Sequence, residues 1–248
     1  MPVQKITNLI IIVLHARLMY DNSNFIEINS TPVKKFTLIE PQTMEQVIAI
    51  CQQYTPLDDA SQQALKSIIT LKEYRKNDHV FEQDQFCGDL FVIVKGSYRL
   101  FHKTTQKEHT TWLGYDDHII SSLHCLLFNT PARESMHILE DSVIGVIPYN
   151  EMLSLGRQYA AIDKLNRTIM STFIMEMQEN LFATRFMEAA DRYHYFTQKQ
   201  PEALQRIPLT YLASFLGITK ESLSRIRSGF RTRDNSYGLN NSYLRTAS

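Results

Sequence analysis

The sequence predicts an α+β chain: an antiparallel β-roll, then one long helix, then a C-terminal helix-turn-helix. Three observations carry this. Residues 71–147 hold short β-rich runs divided by turn residues. Tyr159 to Phe186 runs without a glycine or proline. Leu209 to Arg227, LTYLASFLGITKESLSRIR, reads as two short helices joined at Gly217.

Composition sets the frame for these elements. A chain of 248 residues with 44% apolar content fits two ordinary globular domains better than one. Basic and acidic residues balance at 26 each, so affinity for a polyanion must come from local asymmetry. Cys51, Cys87 and Cys125 are odd in number and widely spaced, which fits buried thiols in a reducing cytoplasm rather than a disulfide framework. The longest apolar run, Leu9 to Leu14, is far short of the roughly 18 residues a membrane span needs. It also lacks a small-residue cleavage site, so the expectation is a cytoplasmic protein with no membrane partner.

Residues 1–43 show little periodicity and receive no role. Met44 to Gln53 and Asp58 to Ile69 read as helices, the second opened by Pro56 and Asp58 with Ala60, Ala64, Leu65, Ile68 and Ile69 on one side. Strands are expected at His79–Phe81, Leu90–Val94, Tyr98–Phe101, Thr110–Leu113 and Val143–Ile147. Turn residues Asn77-Asp78, Asp84, Gly88-Asp89, Lys95-Gly96 and Gly114 separate them, and Asn77 and Asp84 are of the types that best tolerate left-handed backbone. His102, His109, His118, His124 and His137, with Cys125, lack the tight repeated spacing of a metal site, so neither metal nor cofactor is assigned.

In the glycine-free helix, Ile162, Leu165, Ile169, Phe173, Met177 and Leu181 form an apolar stripe that Met170, Ile174 and Met175 widen. So wide a stripe needs cover on more than one side. In the C-terminal pair, Leu209, Leu212, Ala213 and Leu216 give the first helix its buried face, and Gly217 supplies a left-handed end. Thr219 is placed to cap a second helix from Lys220, whose Leu223 and Ile226 face inward. That leaves Lys220, Glu221, Ser222, Ser224, Arg225 and Arg227 outward, groups that hydrogen-bond base edges and phosphates. A solvated helical hairpin has the same spacing. The excess of basic residues from Leu204 onward, Arg206, Lys220, Arg225, Arg227, Arg231, Arg233 and Arg245 against Glu221 and Asp234, tips the reading toward double-stranded DNA.

The run from Ala183 to Arg227, with Arg192-Tyr193, Pro201, Ile207-Pro208, Leu212-Ala213, Leu216-Gly217-Ile218-Thr219 and Leu223-Ser224-Arg225-Ile226-Arg227, resembles the DNA-binding end of the Crp/Fnr family of bacterial transcription regulators. The strands and turns from Leu71 resemble that family's cyclic-nucleotide-binding jelly roll. The resemblance implies a β-roll domain (44–158), a dimerisation helix (159–183) and a helix-turn-helix domain (184–229); residues 1–43 fall outside it as an extension of unknown role, and 230–248, polar and without strand alternation, depart from it and read as a disordered tail. It implies a non-enzymatic homodimer that binds DNA, with RNA polymerase as a further candidate partner. Lys220, Glu221 and Arg225 match base-reading positions, and Thr210, Thr219, Ser222 and Arg227 phosphate contacts. Leu209 departs from the long polar residue some relatives carry, which implies a different operator. Ile162, Leu165, Ile169, Phe173 and Met177 would form the dimer seam.

The nucleotide cassette of the family would fall in Asp117 to Ile138. Ser121 and Ser122 stand near the position of its Gly-Glu pair. Arg133 matches the phosphate-binding arginine, but Glu134 follows it and would repel a phosphate. Ser121, Ser122, Arg133 and Glu134 thus mark a candidate effector pocket with no expected response to cyclic AMP. Arg133 could equally be a surface arginine paired with Glu134 or Glu140. The alternative function is an effector-binding or protein-interaction module whose helix-turn-helix no longer grips DNA.

Overall fold

The computed structural model describes residues 39–231. Expectations for residues 1–38 and 232–248 lie outside the described residues. Helices α1 (Thr43–Tyr54) and α2 (Asp59–Lys66) come first. Asp58 caps α2, its carboxylate accepting a hydrogen bond from the Ser61 amide at 2.8 Å.

Eight strands follow: β1 (Thr70–Tyr74), β2 (His79–Phe81), β3 (Asp89–Lys95), β4 (Ser97–Lys103), β5 (Glu108–Tyr115), β6 (His118–Ile120), β7 (Ser135–Ile138) and β8 (Ser142–Pro148). They form two four-stranded sheets, ordered β1-β8-β3-β6 and β2-β7-β4-β5, and every pairing is antiparallel. The expected left-handed turns are present, with Asn77 at φ 76° and Asp84 at φ 67°. A short helix α3 (Leu123–Phe128) interrupts the strands, and α4 (Tyr149–Gly156) follows β8. Neither helix was legible in the sequence, nor were β6 and β7, which are too short to show alternation.

Two apolar layers hold the roll together. Phe91, Ile93, Tyr98, Leu100, Met136, Ile138 and Ile144 pack between the sheets. On the other face of the first sheet, Leu90, Val92, Ile119 and Ile147 meet Val47, Leu65, Met152 and the following long helix. β3 is therefore covered on both faces, which is why Leu90–Val94 reads as an unbroken apolar run rather than an alternating one. At Gly145 a β-carbon would lie 2.8 Å from Val47, so this glycine lets α1 approach the sheet.

The long helix α5 (Ala160–Phe186) corrects one expectation. Ile162, Leu165 and Ile169 are wholly buried and Phe173 is 5% exposed, all within the protomer's own core. They pack on α1, α2 and the sheet and are not available to a partner; of the expected seam only Met177 is exposed, at 53%. A second apolar set, Ile174, Met175, Leu181, Phe182 and Phe186, stays exposed further along the helix.

The C-terminal helices are α6 (Ala189–Lys199), α7 (Ala203–Arg206), α8 (Leu209–Phe215) and α9 (Lys220–Arg231). Tyr193, Phe196, Ile207, Leu212, Ala213, Leu216 and Leu223 form their core, joined by Leu113 and Leu139 of the β-roll. Helix α9 runs two residues past the expected boundary at 229. Among the described residues no helix is long and apolar enough to cross a membrane.

Candidate functional site

Two sites are assembled by this fold. The first is a cavity of about 760 Å³ between the β-roll and α5. Leu100 of β4, Trp112 of β5, Ile120 of β6 and Leu123 of α3 line its roll side, and Phe173, Met177 and Leu181 line its α5 side. Ser121, Arg133 and Glu134 of the expected pocket reach the cavity wall; Ser122 does not. Ser122 is buried beside it at the start of α3, and the Ser121 hydroxyl is spent on the Asp89 carbonyl at 2.5 Å.

A bulge sets the polar edge of the cavity. β4 and β5 shift register between Leu100 and Phe101, so Thr111 is the extra residue and its side chain is re-aimed. Its hydroxyl donates to Glu134 Oε2 at 2.8 Å. Arg133 pairs with neither expected carboxylate, because Glu134 is held by Thr111 and Glu140 by Arg206. Its guanidinium makes no ion pair or hydrogen bond among the described residues, while its carbonyl meets His102 Nδ1 at 2.7 Å.

Sequence reading missed Glu176 on α5, which also faces the cavity. It lies three residues after buried Phe173, a spacing that puts both on one helix face and could have flagged it. Its Oε2 is buried without a hydrogen bond, and His118 Nε2 lies 3.8 Å away. His118 Nδ1 in turn shares a 2.5 Å hydrogen bond with the Tyr98 hydroxyl, and the His118 ring stacks on both Tyr98 and Trp112. Burial, then the Glu176 charge, push the Tyr98 hydroxyl well above its ordinary range, so it stays protonated.

The second site is the helix pair. Gly217 has φ 68°, with Ile218 N donating to Ala213 O and Gly217 N to Ser214 O, a left-handed helix end that reverses the chain. Thr219 Oγ1 accepts from the Ser222 amide at 3.1 Å and caps α9. Lys220, Glu221 and Arg225 are exposed on α9, Ser222 and Arg227 are half-exposed, and Thr210 and Thr219 are exposed. The structure thus gathers all seven expected contact residues on α8, α9 and the turn between them. Hydrogen bonds at the helix start hold the Glu221 carboxyl below its usual value, so it is an anion there.

Arg206, counted in the basic excess, has another role. It bridges Asp116 and Glu140, with contacts of 2.8 and 2.6 Å, and reaches the Gly96 carbonyl at 3.0 Å. A second arginine, this one buried, joins the halves: Arg99 lies between the rings of Phe101 and Tyr211, 4.2 and 3.9 Å from their centres. It donates to His137 Nδ1 at 3.0 Å and Glu108 at 2.5 Å. Ser214 accepts from the Thr110 amide at 2.9 Å. The side of α8 away from α9 is thereby docked on β5, and α9 is left open.

Residues 71–159 match the cyclic nucleotide-binding domain family. The fold resembles those of solved Crp/Fnr-type structures. Similar solved structures include FixK2 from Bradyrhizobium japonicum, at 13% identity over 66% of this chain and 85% of that one, with a TM-score of 0.58. The c-di-GMP responsive global regulator CLP of Xanthomonas campestris is 15% identical over 73% of this chain and 96% of its own, with a TM-score of 0.56. A candidate Crp/Fnr-family transcriptional regulator from Eubacterium rectale is 14% identical over 73% of this chain and 88% of its own, with a TM-score of 0.55. Comparison with curated proteins returns no match.

Proposed function

We propose that the protein is a cytoplasmic, homodimeric, DNA-binding transcription regulator of the Crp/Fnr type that does not respond to cyclic AMP and acts without catalysis. The observation that carries the reading is α9: a capped helix following a tight glycine turn, with Lys220, Glu221 and Arg225 directed outward and Leu223 anchoring its inner face. Such a helix fits the major groove, where arginine or lysine suits guanine and glutamate suits the cytosine amino group. Thr210, Thr219, Ser222 and Arg227 lie where they would meet phosphates.

Dimerisation is supported by the exposed apolar set on α5. Ile174 and Leu181, and likewise Met175 and Phe182, repeat at seven residues, the spacing of a helix seam. A two-fold dimer through α5 would place two copies of α9 about 34 Å apart, one turn of DNA, and so calls for a pseudo-palindromic operator. The cavity is the effector site in this reading. Cyclic AMP fits it poorly, since its phosphate would meet the carboxyl groups of Glu134 and Glu176, with Arg133 as the one guanidinium on the wall. Sequence-selective binding of the purified protein to duplexes from upstream of its own gene, with a dimer's two-half-site footprint, tests the reading. Binding that ignores sequence sinks it in favour of a β-roll interaction module.

A further inference from the structure

The chemistry of the cavity narrows what can enter it. At about 760 Å³ it is within the size range of small-molecule sites, and its walls are mainly apolar. Leu100, Ile120, Leu123 and Phe173 offer no polar atoms, and Trp112 offers a flat face. A nucleotide would find polar partners there in His102, His124, Gln178 and Asn180, but its phosphate would face the carboxyl groups of Glu134 and Glu176.

Charge points the same way. The wall carries one guanidinium side chain, Arg133, against two carboxyl side chains, Glu134 and Glu176, beside the imidazoles of His102 and His124. Glu134 has a partner in Thr111. Glu176 keeps its side chain 32% exposed, but its Oε2 is buried without a hydrogen bond, and His118 Nε2, 3.8 Å away, is too far to supply one. A buried acceptor left unpaired is costly, and a ligand that supplies the missing donor recovers that cost.

We propose that the cavity binds a mainly apolar, ring-bearing molecule that carries a hydrogen-bond donor, an amine or hydroxyl, directed at Glu176. The proposal rests on the reading of this cavity as the regulator's effector site. Such a ligand would touch Trp112 and Leu100 on the roll and Glu176, Met177 and Leu181 on α5. It would therefore tie the helix that carries the exposed apolar face to the domain that senses the ligand.

Trp112 is the single tryptophan of the chain and lines the cavity, so its emission reports occupancy directly. Diphenylpropylamine, diphenylpropanol and diphenylpropionate share one apolar body and differ only in the head group. Each is titrated into the full-length protein, as is cyclic AMP, with Trp112 fluorescence and calorimetry as readouts. The amine and the alcohol are expected to saturate, and the carboxylate and cyclic AMP to bind about tenfold more weakly than the amine, or less. Glu176→Gln, which keeps shape and an acceptor oxygen, should weaken the amine by about tenfold and leave the alcohol nearly unchanged. Carboxylate binding as tight as the amine, an amine affinity unmoved by Glu176→Gln, or no saturable binding of the amine and alcohol would each overturn the proposal. DNA binding is measured on the same sample. A chain that takes the amine but not DNA refutes the regulator and spares the pocket chemistry, and selective DNA binding with no uptake of the amine does the reverse.

Discussion

Two arginines, Arg99 buried and Arg206 half-buried, decide how the helix-turn-helix meets the β-roll, and each makes a prediction of its own. Arg206→Ala would leave Asp116 and Glu140 facing each other's side of the joint without their shared cation. The expected loss is about 1–3 kcal/mol of stability, read by denaturant melting, with faster proteolysis near α7. Arg99 acts through His137. Burial first, then the Arg99 charge, lower the His137 pKa to about 4, against Glu108, which raises it. The unfolded chain, with an ordinary histidine near 6.5, therefore binds more protons than the folded chain between those values. Stability present above about pH 6.5 is lost as pH falls through about 4. In His137→Gln that acid loss should shrink, as followed by melting temperature across the same range; an unchanged slope would place the acid sensitivity elsewhere. Neither arginine was legible as a joint in the sequence. Arg206 looked like part of a basic DNA-binding end, and only the fold brings Asp116 and Glu140, far away in the chain, to its side.

At the scale of the element, α5 and α9 carry the testable content. The seven-residue repeat marks α5 as a wide apolar stripe, but periodicity cannot say which part of that stripe meets the protomer's own core. Ile162 to Phe173 meet the protomer's own core, and the exposed set begins at Ile174. Two variants separate these roles. Ile169→Ala should cost about 2–5 kcal/mol of stability and leave the oligomeric state alone. Met175→Glu with Phe182→Glu should leave the protomer folded and give a monomer by sedimentation; a double variant that remains dimeric would move the interface off α5. On α9, Arg225→Ala should cost about 1–3 kcal/mol on the specific operator and little on random DNA. Equal losses on both would make Arg225 a phosphate contact. The helix pair was the most legible element of the chain because its signals are local: Gly217 for the left-handed turn, Thr219 for the cap, and Leu212, Ala213, Leu216 and Leu223 at helical spacing.

For the whole molecule, the order of β-roll, long helix and helix-turn-helix followed from patterns that fall within short windows of sequence. The cavity did not. Ser121, Arg133 and Glu134 were found from their place in a cassette, whereas Leu100, Trp112 and Glu176 come from three separate elements and meet only when the sheets close against α5. Thr111 enters through a β-bulge that alternation alone cannot reveal. The molecule that results has a docked first helix, an open second helix and an apolar chamber against the helix that would pair two protomers. In the proposed function, α9 reads DNA while the chamber ignores cyclic AMP. The most direct test is fluorescence anisotropy of the full-length protein on a duplex from upstream of its own gene and on a scrambled duplex, at two salt concentrations, with and without cyclic AMP. The account predicts binding that is selective for the native duplex, weakens with salt, and does not change with the nucleotide. Equal affinity for both duplexes, or selective binding that appears only when cyclic AMP is present, would contradict it.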